Sequence, residues 1–213
     1  THAANHPGTA HDCADISQVD PRRYPSSDLL WASPECTNHS IARGMSRRRQ
    51  AEARRADLLE VMGAECGKVI EQSDPEVSEA IDFIRYYALH ALELEKLEGA
   101  QFHPDEMVVV TPPWNFPIAI PTGGTVAALA AGSAVIHKPS KPTPYCSALI
   151  VECLWEAGVP RDVLQLCAPI ERELGQHLVS HPDVDRVILT GASETAALFK
   201  SFRPELHVNA ETS

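Results

Sequence analysis

"MVVVTPPWNFPIAIPTGGTVAALAAGSAVIHKPS", residues 107–140, holds two short apolar runs on either side of an alanine-rich stretch. "MVVVT" (107–111) is β-branched and too short for a helix, so it reads as a strand. "TGGTVAALAAG" (122–132) reads as a helix stopped by Gly132, and "SAVIHK" (133–138) as a second strand. The same alternation continues. "PTPYCSALIVECLWEAG" (142–158) has proline near its start and glycine just past its end, the asymmetry of a helix. "DVLQLC" (162–167), "ERELGQHLVSH" (171–181), "DRVILTG" (185–191), "SETAALFKSF" (193–202) and "LHVNAE" (206–211) complete the series. The strands show no polar alternation, which predicts burial on both faces and a parallel sheet covered by helices. Residues 106–213 are therefore expected to form a doubly wound α/β domain, with its ligands at the carboxyl ends of the strands.

Upstream, residues 51–105 read as helical. The second helix is expected to open at Asp74-Pro75, with positions 77, 80, 81, 84, 88 and 91 or 92 on its apolar face. The first fifty residues do not join this scheme. "HDCADIS" (11–17) and "DLLWAS" (28–33) read as strand ends among Pro, Arg and Ser, so a boundary is placed near Gln50.

The 213 residues are 44% hydrophobic and 22% charged, globular values that support a core. No apolar run is long enough to span a bilayer, and "THAANHPGTAHDC" has no signal-peptide pattern. The six cysteines form no tight framework, so reduced thiols in a cytoplasmic protein are expected. "HDC" and "CTNH" match no standard zinc spacing. Net charge is −11, with eight basic against six acidic residues through Arg55 and ten against twenty-three beyond. An acidic body does not suit nucleic-acid binding by the longer part; "ARGMSRRRQAEARR" (42–55) is basic enough for it, or is a solvated helix face.

Four positions at predicted strand ends carry chemistry. Asn115, in a loop stiffened by prolines, can donate an amide hydrogen bond to a developing oxyanion, or cap a turn. Lys138 suits a phosphate or ribose, or is a surface charge. "TGASET" (190–195) turns from strand into helix, where free amides suit a pyrophosphate. Glu211 adds a carboxylate at the same edge.

In this order, "PWNFP", "HKPS", "LTGASETA" and "AETS" resemble the landmarks of the aldehyde dehydrogenase superfamily over residues 51–213. "DPEVSEAIDFIRYYA" (74–88) and "LTGASETAALF" narrow the resemblance to the glutamate-semialdehyde (pyrroline-5-carboxylate) dehydrogenases of proline catabolism. The resemblance implies a Rossmann-like NAD-binding half, with NADP as an open alternative. It implies Asn115 as the oxyanion-hole amide, Trp114 beside the cofactor, and Lys138 and Ser140 at the adenosine ribose. Gly191 and Ser193 fall at the pyrophosphate, and Glu211 as the group that activates water. The family mechanism is a cysteine thiolate attacking the aldehyde, hydride transfer to NAD, and hydrolysis of the thioester. Ala192 and Lys141 depart from the common Ser and Glu. The family's nucleophilic cysteine is expected beyond Ser213, so the chain is expected to be inactive without a catalytic half. Family members also oligomerise.

"DLLWASPECTNHSIARG" and "CADIS" resemble a stretch of DNA cytosine-5 methyltransferases. That match implies Cys36 as nucleophile toward a flipped cytosine and Asp15 as a contact to S-adenosylmethionine, with DNA as partner. On spacing alone Cys36 is an ordinary buried thiol. The chain thus reads as two partial enzymes joined near 50–55, with a non-catalytic nucleotide-binding module as a further alternative.

Overall fold

A computed structural model of the chain describes residues 50–94, 96–169 and 171–212. Helices α1 (Arg55–Cys66) and α2 (Ile70–Leu94) precede β1 (Met107–Thr111), α3 (Ala119–Ala131) and β2 (Ala134–His137). Then follow α4 (Pro144–Glu156), β3 (Leu164–Leu166), α5 (Arg172–Ser180), β4 (Arg186–Gly191), α6 (Ser193–Phe202) and β5 (His207–Thr212). The strands form one parallel sheet in the order β3-β2-β1-β4-β5. The order reverses direction at β1, whose loop lies between the two halves of the winding. A doubly wound sheet opens its ligand crevice at such a switch point.

The valines of β1 explain why the sheet needs cover on both sides. Val108 and Val110 pack with Val135 against the layer made by α1–α4, while Val109 faces Val187, Leu189, Val179 and Phe199 on the α5–α6 side. Burying each such side chain stabilises the fold by about 1.5–3 kcal/mol. Helix α3 lies close against its neighbours because it has glycine where they meet. A Cβ on Gly124 would sit 3.2 Å from Val110 Cγ1 and 3.4 Å from Ile188 Cγ2, and one on Gly123 would sit 3.1 Å from the Phe83 ring of α2.

Two expectations need correction. Helix α2 begins at Ile70, a full turn before Asp74, and carries Pro75 inside it. Asp74 is not a cap: it pairs with Arg55, whose Nη2 also donates to Ser78 Oγ at 3.0 Å. The added turn holds because Ser73 is buried and its hydroxyl donates to the Val69 carbonyl at 3.0 Å. Pro75 is exposed, so the Glu71 carbonyl that it leaves without an N–H partner lies on the water side. Positions 77, 80, 81 and 84 are buried as expected, but the apolar stripe fades beyond them. The second correction concerns β5. It joins the sheet along its whole length, yet only Val208 is even partly buried. Among the described residues it has the sheet on one side only, and its sequence, His-Val-Asn-Ala-Glu-Thr, is the least apolar of the five.

Candidate active site

The strand register brings the candidate residues to one edge. Val110 is level with His137, Thr111 with Leu189, Thr190 with Glu211 and Gly191 with Thr212. Hence the loop bearing Trp114 and Asn115, the segment bearing Lys138 and Ser140, the turn at Gly191–Ser193, and Glu211 all leave the carboxyl ends of the strands. Asn115, Ser193 and Glu211 are exposed, as is Trp114 at 55%. Ser140 is half-buried, and its carbonyl accepts the Thr143 N–H at 3.1 Å, closing the turn into α4. Asp15 and Cys36 lie outside the described residues.

Four helices, α3 to α6, start at this edge, and their first turns are treated differently. At α3, Glu76 Oε1 accepts the N–H groups of Ile118 (2.8 Å) and Ala119 (3.1 Å). At α4, Glu65 takes the N–H of Tyr145 (2.9 Å) and of Cys146 (2.7 Å). Each carboxylate satisfies donors that a helix leaves free and meets the positive end of its dipole. Helices α5 and α6 receive no such cap: their N-caps are Glu171 and Ala192, and at α6 the Ser193 hydroxyl donates to its neighbour Glu194 at 3.3 Å. The Thr195 N–H is bound to the Ala192 carbonyl at 3.0 Å, which leaves the N–H groups of Ser193 and Glu194 for an anion.

Lys138 is half-buried, its backbone N–H bound to the Val110 carbonyl at 2.9 Å. Its side chain runs past α5, where a Cβ on Gly175 would lie 3.9 Å from Lys138 Cε. Burial, and then the nearby ammonium of Lys141, hold Lys138 below the usual lysine value. Among the described residues it makes no ion pair. A partly desolvated cation and an uncapped helix start on the same edge of the sheet form a donor set that fits the negative charge of a dinucleotide. No group of described residues has the makings of a metal site.

Immediately before Lys138, His137 is wholly buried. Its Nδ1 lies 2.9 Å from Thr125 Oγ1 of α3 and its Nε2 3.0 Å from Ser147 Oγ of α4. Burial first, and Lys138 second, push its pKa down to about 4, so it is neutral at pH 7. It ties β2 to α3 and α4, two of the helices that begin at this edge.

Sequence reasoning missed Glu65, Lys68, Glu76 and His137. The glutamates sit in helices where nothing local sets them apart from solvated acids. His137 stood within "HKPS", and its place on an otherwise apolar strand was the available signal. Lys68 pairs with Glu76, and its Nζ stands 4.2 Å from the Phe116 ring centroid. The Cys66 thiol donates to the Trp114 carbonyl at 3.6 Å.

A family model described as the aldehyde dehydrogenase family matches residues 42–202. The 1-pyrroline-5-carboxylate dehydrogenase of Oceanobacillus iheyensis is 40% identical over 141 residues, covering 62% of this chain and 27% of that protein. The Bacillus subtilis 1-pyrroline-5-carboxylate dehydrogenase 2 is 34% identical over 174 residues, covering 77% of this chain and 33% of that protein. Proline utilization A from Corynebacterium freiburgense superposes with a TM-score of 0.77 at 44% identity, over 89% of this chain and 21% of that one. The Thermus thermophilus 1-pyrroline-5-carboxylate dehydrogenase gives a TM-score of 0.74 at 29% identity, over 81% and 37%. The chain spans about a quarter to a third of the length of these curated relatives. With a parallel sheet wound as in these structures and a family match across three quarters of its length, the chain belongs to the aldehyde dehydrogenase family.

Proposed function

We propose that the chain is the cofactor-binding part of an NAD(P)-dependent dehydrogenase that oxidises L-glutamate γ-semialdehyde to glutamate in proline degradation. The observation that carries this reading is the shared edge. An amide donor, a cation, an uncapped helix start and a carboxylate all leave the same ends of one sheet. The similarity to proteins named 1-pyrroline-5-carboxylate dehydrogenase and proline utilization A supports the choice of aldehyde.

In this reading Lys138 and Ser140 hold the adenosine ribose. The N–H groups after Gly191, with Ser193, take the pyrophosphate, and Trp114 lies beside the cofactor. When bound, the nicotinamide dinucleotide supplies the hydride acceptor. Asn115 donates its side-chain N–H to the oxygen of the reacting aldehyde as negative charge builds there. Glu211 accepts the proton of the water that ends the cycle. The nucleophilic thiol comes from the part of the relatives' length that this chain does not span. Cys146 and Cys153 do not supply it, since both are buried and burial raises both thiols, that of Cys153 to about 11. The free thiols of Cys66, Cys146, Cys153 and Cys167 favour a reducing compartment, the cytoplasm.

The test is a transplant. Residues 50–212 replace the matching segment of the Oceanobacillus iheyensis relative, and reduced nicotinamide formation is followed with L-glutamate γ-semialdehyde. The reading predicts a working chimera that Asn115→Ala slows by about 100-fold or more in kcat. A folded chimera that binds cofactor but does not oxidise this aldehyde would refute it.

A further inference from the structure

The loop that carries Asn115 has few side-chain holds of its own. Trp114, Asn115 and Phe116 are all exposed. A donor that must meet a developing charge needs its backbone fixed, because a misplacement of about 1 Å can cost about 100-fold in rate. The holds that do exist come from the helical layer: the Cys66 thiol on the Trp114 carbonyl at 3.6 Å, and the paired side chains of Glu76 and Lys68.

Glu76 is 2% exposed, and its carboxylate points into the start of α3, at the residues directly after the loop. One oxygen accepts both Ile118 and Ala119 N–H groups. The other oxygen pairs with Lys68, itself largely buried. Lys68 then reaches over the face of Phe116, inside the loop. One ion pair thus grips the loop at its exit through two backbone N–H groups, and near its middle through an aromatic face. A buried carboxylate with two amide donors and an ammonium has its charge compensated, which a lone buried glutamate would not. Glu65 makes a similar two-donor cap, but on α4 and not on the residues that follow the loop, so it offers an internal comparison.

We propose that Glu76 and Lys68 are positioning residues that set the geometry of the Asn115 loop. The catalytic meaning of that geometry rests on the reading of Asn115 given above, but the structural claim does not.

Two measurements on the chain itself separate positioning from general stability. Amide hydrogen exchange reports the N–H groups of Ile118, Ala119, Tyr145 and Cys146. Fluorine NMR of 5-fluorotryptophan reports the loop through Trp114, assigned with Trp114→Phe. Glu76→Ala is expected to lower protection at Ile118 and Ala119 by about tenfold or more and to shift or broaden the Trp114 resonance. Glu65→Ala is expected to lower protection at Tyr145 and Cys146 and to leave Trp114 unmoved. Lys68→Met, which keeps the chain's bulk but drops the charge, is expected to move Trp114. Glu76→Gln, which retains an acceptor oxygen, is expected to recover protection at Ile118 and Ala119; it carries the test, with Lys68→Met, should Glu76→Ala fail to fold. The proposal is overturned if Glu65→Ala moves Trp114 as much as the Glu76 and Lys68 variants do, or if none of them moves it.

In the chimera, Lys68→Met is expected to lower kcat by about tenfold while cofactor affinity stays within about twofold. If the unaltered chimera is inactive, the proposed function fails, while the exchange and fluorine results still decide the positioning claim.

Discussion

Lowering the pH should weaken this fold through one residue, and the size of the effect follows from where that residue sits. His137 has no solvent-exposed surface, and its two ring nitrogens are engaged by Thr125 and Ser147. A neutral imidazole offers one donor and one acceptor, and hydroxyls can supply the complement to both. Protonation would turn both nitrogens into donors and bury a charge next to Lys138. The folded pKa, about 4, therefore lies below the unfolded value of 6.5. As pH falls, the unfolded chain takes up its proton first. The stabilising contribution is complete above about pH 6.5, is lost progressively on the way down, and changes no further below about pH 4. A depression of that size corresponds to about 3 kcal/mol in full, of which about 2 kcal/mol is gone by pH 5. The 29 acidic side chains titrate over part of the same window, so the informative quantity is a difference. Urea unfolding of the wild type and of His137→Gln, which cannot take up a proton, should be measured across pH 7.5 to 4.5. The variant loses stability at neutral pH from its imperfect fit, but its stability should fall less steeply with acid. Parallel curves for the two proteins would refute the assignment of His137 as a buried neutral group.

Two further predictions concern packing and thiol chemistry. Gly124→Ala should be close to neutral, because about 1 kcal/mol of helix propensity offsets the tight contact with Val110 and Ile188, whereas Gly124→Val should cost about 1–3 kcal/mol. Urea melts that place the valine variant level with the wild type would contradict the close approach of α3 to the sheet. Cys146 and Cys153 should resist iodoacetamide at pH 8 until urea unfolds the chain, since burial raises both thiols and only the thiolate reacts. Peptide mapping that finds them alkylated as fast in the folded protein as in urea would show that they are not sequestered.

The winding of the sheet was legible because it depends on local signals that survive in one dimension. β-branched runs, glycine stops and proline starts mark where chain direction changes, and β1, β2 and β4 formed close to where those marks lie. What failed was local too. Asp74-Pro75 carries the signature of a helix start, yet a buried serine and an arginine from α1 made a helix that runs through it. The apolar reading of the strands broke at β5 because an edge strand need not be buried to be paired. At the site, the residues legible in advance lie on strand ends, where topology alone sets their height. Glu65, Glu76 and Lys68 were illegible because their partners are Tyr145, Cys146, Ile118, Ala119 and Phe116, between 42 and 81 residues away along the chain for every one of their backbone contacts. Such contacts exist only once α1 and α2 have packed against α3 and α4.

In the function proposed above, the carboxyl edge of the sheet binds a nicotinamide dinucleotide through Lys138 and the start of α6. Isothermal titration of the chain with NAD and with NADP, with Lys138→Ala as the paired variant, measures that binding. Saturable binding to the wild type at one site is expected, weakened about tenfold or more in the variant while its melting temperature is retained. Absence of binding by a folded wild type, or equal affinity in the variant, would contradict it.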